Sequence, residues 1–199
     1  MLAVAAVLGV TASVVMNRDK SDSQADASAS ALAPATTTEP PVVPLAQPSE
    51  RLRYTEYGNK NWDFTLGAAT LHADWVGGRD YPDCRAIDQT GKLADRGCQY
   101  AAELVYRAEG GCLMLTQFIL AMPDARAASE AVGQLTAADL KLRQGTFIDN
   151  FATSKWKDES HRQFVVITVA TATMDLDEAT ATKYLGNRHS DTINALARR

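Results

Sequence analysis

QYAAELVYRAEGGCLMLTQFILAMPD, Gln99 to Asp124, decides how this chain folds. Two apolar runs, QYAAELVYR (99–107) and CLMLTQFILAM (112–122), are rich in residues that suit a pleated surface. Ala108-Glu109-Gly110-Gly111 lies between them, and its glycines supply the positive φ that a hairpin turn needs. Pro123-Asp124 then stops the second strand. Asp124 is placed to cap a helix whose apolar positions are Ala125, Ala128, Val132 and Leu135.

The same order recurs downstream. Strands are expected near Phe151–Lys157 and Arg162–Thr173, with Asp158-Glu159-Ser160-His161 as the turn. Asp175 and Glu178 form an Asp-x-x-Glu capping box for a helix reaching Ala197, with an apolar stripe of Ala181, Tyr184, Leu185, Ile193 and Leu196. Upstream, Asp63–Leu66 and Thr70–Val76 alternate as strands split by Gly67 and ended by Gly77-Gly78, and residues 79–97 read as a loop. The expected class is α+β: an antiparallel sheet with two helices on one face, built from repeated strand–strand–helix units.

The remainder of the chain is organised differently. Leu2 to Met16 is an uncharged apolar run of fifteen residues, short for a bilayer span and right for the hydrophobic region of an export signal. No cysteine follows it closely, which excludes a lipid anchor on cysteine. Arg18 and Lys20 favour a cytoplasmic flank by the positive-inside tendency, but the next segment outweighs them. Ser21 to Glu50 has no aromatic residue, Lys or Arg, and is built largely of Ala, Ser, Thr and Pro, the composition of a disordered, semi-rigid spacer. Residues 1–16 are therefore read as a signal anchor (with a cleaved signal peptide as the alternative), 17–50 as a disordered linker, and 51–199 as a globular extracytoplasmic domain. This organisation of apolar N-terminus, Ala/Ser/Thr/Pro tether and small cysteine-bearing domain resembles that of exported and membrane-anchored actinobacterial proteins. The resemblance implies export to the cell membrane, single-pass, or secretion; no activity follows from it.

Charge narrows the partner classes. From Arg51 onward there are 18 basic and 19 acidic residues, with no basic stripe to neutralise phosphates, so no nucleic-acid partner is expected. Cys84, Cys98 and Cys112 are spaced fourteen apart, and His72, His161 and His189 are scattered. Zinc sites space their ligands more tightly, so no metal and no cofactor is expected. In an oxidising compartment a disulfide fits better. The hairpin places Cys98 opposite Ala121, many ångströms along the ladder from Cys112, whereas Cys84 in its loop can reach it. Cys84–Cys98 is the expected bridge, and Cys112 beside Leu113, Met114 and Leu115 reads as a small buried hydrophobe.

Signatures of hydrolases and phosphate loops are absent from the chain. One local composition stands out: Tyr54, Tyr57, Trp62, Phe64, Trp75 and Tyr81 are interleaved with Asp63, Asp74, Asp80 and Asp83. Trp62, Trp75 and Tyr81 are the candidate ligand-binding residues, as a stacking platform for a sugar or extended peptide, while Phe64 belongs to the core. Trp62, after the polar Gly58-Asn59-Lys60-Asn61, is expected to be exposed, and His161 to be solvated. The functional expectation is a membrane-anchored extracytoplasmic binding or interaction domain, non-catalytic, for a cell-envelope glycan, peptide or protein. The alternative is a secreted hydrolase acting on envelope material.

Overall fold

The structure is a computed structural model that describes residues 51–67 and 69–199. The expected anchor and linker, residues 1–50, lie outside the described residues. Strands β1 (Trp62–Leu66) and β2 (Ala69–Tyr81), β3 (Tyr100–Ala108) and β4 (Leu113–Ala121), and β5 (Thr153–His161) and β6 (Phe164–Ala172) pair antiparallel and join in one six-stranded sheet of order β1-β2-β3-β4-β6-β5. The order follows from composition. β3, β4 and β6 bury almost every residue and so need cover on both faces and a neighbour on each side. TSKWKDESH is half-buried and charged, and β5 takes an edge, where charges oppose further pairing.

Short helices α1 (Tyr54–Tyr57) and α2 (Lys92–Asp95) precede the two longer ones, α3 (Ala125–Ala131) and α4 (Glu178–Ala197). Asp124 caps α3, accepting from the Ala127 N–H at 2.8 Å. α4 is capped by Asp177 instead of Asp175, through the Thr180 N–H at 2.8 Å. Alternation along the central strands splits the core in two. Leu104, Tyr106, Leu115 and Val166 pack with Ala181, Tyr184, Leu185 and Leu196 of α4. Phe118, Leu120, Val165 and Ile167 pack with Ala128 and Ala131 of α3, Leu93 of α2, and Cys84, Ile87 and Leu140 from irregular segments.

The α+β class with an antiparallel sheet holds, but α3 and α4 cover opposite faces, not one. This also removes the support for repeated units. A two-fold relating β3-β4-α3 to β5-β6-α4 across the antiparallel β4–β6 pair would leave both helices on the same side.

Three boundaries differ from expectation for local reasons. β2 runs through Gly77-Gly78 with a bulge after Trp75 and pairs with β3 as far as Tyr81. Gly78 serves close approach instead of a turn, since a Cβ there would run into the Tyr54 ring and come within 2.9 Å of the Glu103 carbonyl oxygen. The polar Asp158–His161 belongs to the edge strand, and the chain turns at Arg162, whose φ is 50°. In the β3–β4 turn Glu109, Gly110 and Gly111 all have positive φ, and Tyr100, not Cys98, lies opposite Ala121.

Candidate functional site

Two irregular segments build the face opposite α4, and each is tied down. Cys84 and Cys98 form a disulfide with Cα atoms 5.9 Å apart, closing the loop that carries α2. The second segment, residues 132–152, is long for a connection in a compact domain. Asp139 anchors it. This buried carboxylate accepts from the Thr90 hydroxyl at 2.8 Å, the Lys92 ammonium at 3.0 Å and the Thr136 N–H at 2.8 Å. Those bonds, the Thr90 hydroxyl first, hold its carboxyl well below the usual range. Further along, the Lys141 N–H donates to the Ile87 carbonyl at 2.8 Å, the Thr146 hydroxyl to the Arg143 carbonyl at 2.7 Å, and the buried Thr116 hydroxyl of β4 to the Thr146 carbonyl.

Between these segments and the end of β2 lies a recess of about 250 Å³, lined by Arg79, Tyr81, Ala86, Lys141, Arg143 and Gln144, among others. Glu103 of β3 lies beside it and is fully buried. Its Oε2 accepts from the Tyr81 hydroxyl at 3.0 Å and from Arg143 Nε and Nη2 at 3.2 and 3.1 Å. Its Oε1, also buried, has no donor among the described residues. Burial, then the Glu103 charge, raises the Tyr81 phenol above its ordinary value. Arg79 is the register partner of Glu103 across β2–β3. Among the described residues neither Arg79 nor Lys141 makes an ion pair with a carboxylate.

Of the three aromatic candidates, only Tyr81 borders this recess; Trp62 and Trp75 pack on the α4 face. Trp62 is buried, a correction to its expected exposure, because it opens β1 beneath α4. Its ring stacks on Phe64 at 5.8 Å and meets the edge of Tyr184 at 6.2 Å, and its Nε1–H donates to Asp191 at 3.2 Å. Trp75 is half-buried between Tyr54 and Tyr106, with centroids at 6.2 and 5.1 Å. The nearby carboxylates have local partners. Asp80 accepts from the Tyr54 N–H at 2.8 Å, and Asp63 and Asp74 flank the exposed His72 imidazole at 2.7 and 3.3 Å. The Asp63 contact, chiefly, raises the His72 pKa.

Cys112 is half-buried after the 109–111 turn, less enclosed than expected, because it precedes the strand proper. His161 is half-buried at the end of β5 and not solvated. Among the described residues no group of three or more His, Cys, Asp or Glu side chains is placed to hold a metal ion.

Besides Asp139, two buried polar features escaped sequence reasoning. One is Glu103, a lone acid in the run YAAELVYRA, whose position in a strand covered on both faces was itself the signal. The other is a seam beneath α4. The buried His189 shares a 2.9 Å hydrogen bond with the Thr168 hydroxyl. Thr168 also accepts from Gln117 Nε2 at 2.8 Å, and the Thr192 hydroxyl donates to Gln117 Oε1 at 2.7 Å. Arg188, buried, donates to the Tyr57 carbonyl, the Tyr106 hydroxyl and Asp191. The 3–4 spacing from Leu185 through Arg188, His189 and Thr192 to Leu196 continues the apolar stripe, but polar side chains read as outward-facing.

No protein-family model, curated protein or solved structure matches the chain.

Proposed function

We propose that residues 51–199 are an extracytoplasmic binding domain, tethered to the membrane through residues 1–16 and 17–50, that engages a cell-envelope glycan, peptide or protein. The recess beside Tyr81 is its contact site. The observation that carries this reading is the construction of that recess. Its walls join Arg79 and Tyr81 of β2 to two loops, where binding residues concentrate; the loops are tied to each other, and the 132–152 segment to the sheet through Thr116 and Glu103. A site whose backbone is already ordered loses less entropy on association. The disulfide supports the compartment, because such bridges persist outside the reducing cytoplasm.

The contact site is tested by retention of the full chain on cell-envelope fragments. Ala86 is exposed and lines the recess, so Ala86→Trp fills the space without touching the core. Wild type should be retained and Ala86→Trp released, with equal melting temperatures. Equal retention of both would discard the recess as the contact. For the compartment, a reporter active only outside the cytoplasm, fused after Lys20 or Arg199, should give signal at both positions. Silence at both would place the domain inside.

A further inference from the structure

We infer that the recess is an oxyanion site: Arg79, Lys141 and Arg143, beside Tyr81, receive the terminal phosphate or carboxylate of a larger ligand. This rests on the reading of the recess as the domain's binding site, and charge is its first support. Three cations line one space of about 250 Å³. The carboxylate beside it, Glu103, pairs with Arg143 through Oε2 and keeps an unpartnered Oε1, so Arg79 and Lys141 are the lining cations left without a carboxylate among the described residues. Lys92, nearby in the chain, is by contrast matched by Asp139. The recess therefore carries an excess of positive charge, and like charges at close range repel until a counter-charge enters.

Geometry is the second support. Glu103 takes Arg143 through Nε and Nη2 only. A guanidinium has five N–H donors in a fixed fork; Glu103 takes two and the Tyr81 hydroxyl shares another, which leaves donors for a ligand. The fork is held in plane by a buried partner, so an incoming anion meets donors already oriented. Arg79 is set by the β2–β3 register opposite Glu103, and Lys141 by its backbone bond to Ile87, so cations from a strand and from the 132–152 segment converge. Size is the third. A volume of about 250 Å³ falls below the range of pockets that enclose whole small molecules, roughly 300–1,000 Å³, and suits a charged end group.

The test is an amide-resolved NMR titration of the full chain with inorganic phosphate and with acetate, at ionic strength held constant with chloride. Phosphate should give saturable shifts at Tyr81, Ala86 and Lys141–Gln144. Arg79→Gln and Lys141→Gln should each weaken binding about tenfold, the effect of losing one charge-assisted hydrogen bond. Arg126→Gln, on the exposed surface of α3, should change nothing. Neither lining variant removes an ion pair seen among the described residues, and their spectra report folding directly. Phosphate binding well above acetate assigns the end group as a phosphate; comparable binding admits a carboxylate. Non-saturating shifts, or affinity unchanged in both glutamine variants, overturn the inference. Retention on envelope fragments separates the two readings. Loss in Ala86→Trp but not in the glutamine variants keeps the binding site and rejects its anion chemistry. A positive titration without envelope retention does the reverse.

Discussion

The two faces of the sheet are covered by different means. On one, α4 lays twenty residues of regular backbone across the strands, and the side chains of His189, Thr192 and Arg188 that it buries bond to Thr168, Gln117 and Tyr106 of the sheet. On the other, the seven-residue α3 is joined by two irregular segments that a disulfide and a buried carboxylate hold in place. A helix satisfies its own backbone and can bury a stripe with little help. A loop must find partners for its N–H and C=O groups, and once pinned its side chains are free to face solvent. Both faces bury a core, but the loop-covered one also exposes Arg79, Lys141 and Arg143 around a recess.

The largest effect expected is on the helix-covered face. Leu115→Ala, fully buried there, should cost about 2–5 kcal/mol in denaturant unfolding. Amides of α4 should lose hydrogen-exchange protection more than those of residues 132–148. The opposite pattern would break the division of the faces. Next is Cys84→Ser, expected to cost about 3 kcal/mol by the loop-closure argument, to leave Cys98 titratable, and to loosen residues 84–98 and 132–148 while α4 keeps its protection.

A pH dependence of similar or smaller size belongs to the α4 seam. Burial lowers the His189 pKa to about 4, with Lys157 adding repulsion, even though the half-exposed Glu159 lies 3.6 Å away. The unfolded chain takes up this proton near the ordinary value of about 6.5 and the folded chain only near 4. Stability is therefore complete above about pH 6.5 and falls as pH drops toward 4, by about 3 kcal/mol in all. His189→Gln should flatten that part of the profile, whereas a slope unchanged by the substitution would place the titration elsewhere. The smallest effect sharpens the comparison. Arg79→Gln, exposed and held only by its contact with the Tyr81 ring among the described residues, should change the melting temperature little and still diminish the response to phosphate.

Legibility followed the range of the interactions. The β3–β4 hairpin, the α3 cap at Asp124 and the extent of α4 were readable because each rests on neighbours within a few residues: glycines with positive φ, a side chain reaching its third N–H, a 3–4 repeat. Cys84–Cys98 was readable by reach, since the hairpin left Cys112 too far along the ladder. The recess was not readable. Arg143 meets Glu103 across 40 residues from a segment with no periodicity, and Lys141 is placed by a backbone bond to Ile87. Tyr81 was named for its ring, which lies 5.7 Å from the Arg79 guanidinium, but its hydroxyl bond to Glu103 was not foreseen.

Taken alone, the amino-acid order determined the three strand pairs, the long helix and the disulfide, because hydrophobic period, turn chemistry and cysteine spacing are local properties of a chain. Alternation also determined which residues share a face. It did not determine which helix covers that face, because parity along a strand is the same whichever way a connection crosses the sheet. Only the tertiary structure put α4 on one side and α3 with the pinned loops on the other. The same placement gathered Arg79, Lys141 and Arg143 around Tyr81 and Glu103, since charges distant in sequence become neighbours only when the backbone that carries them is folded.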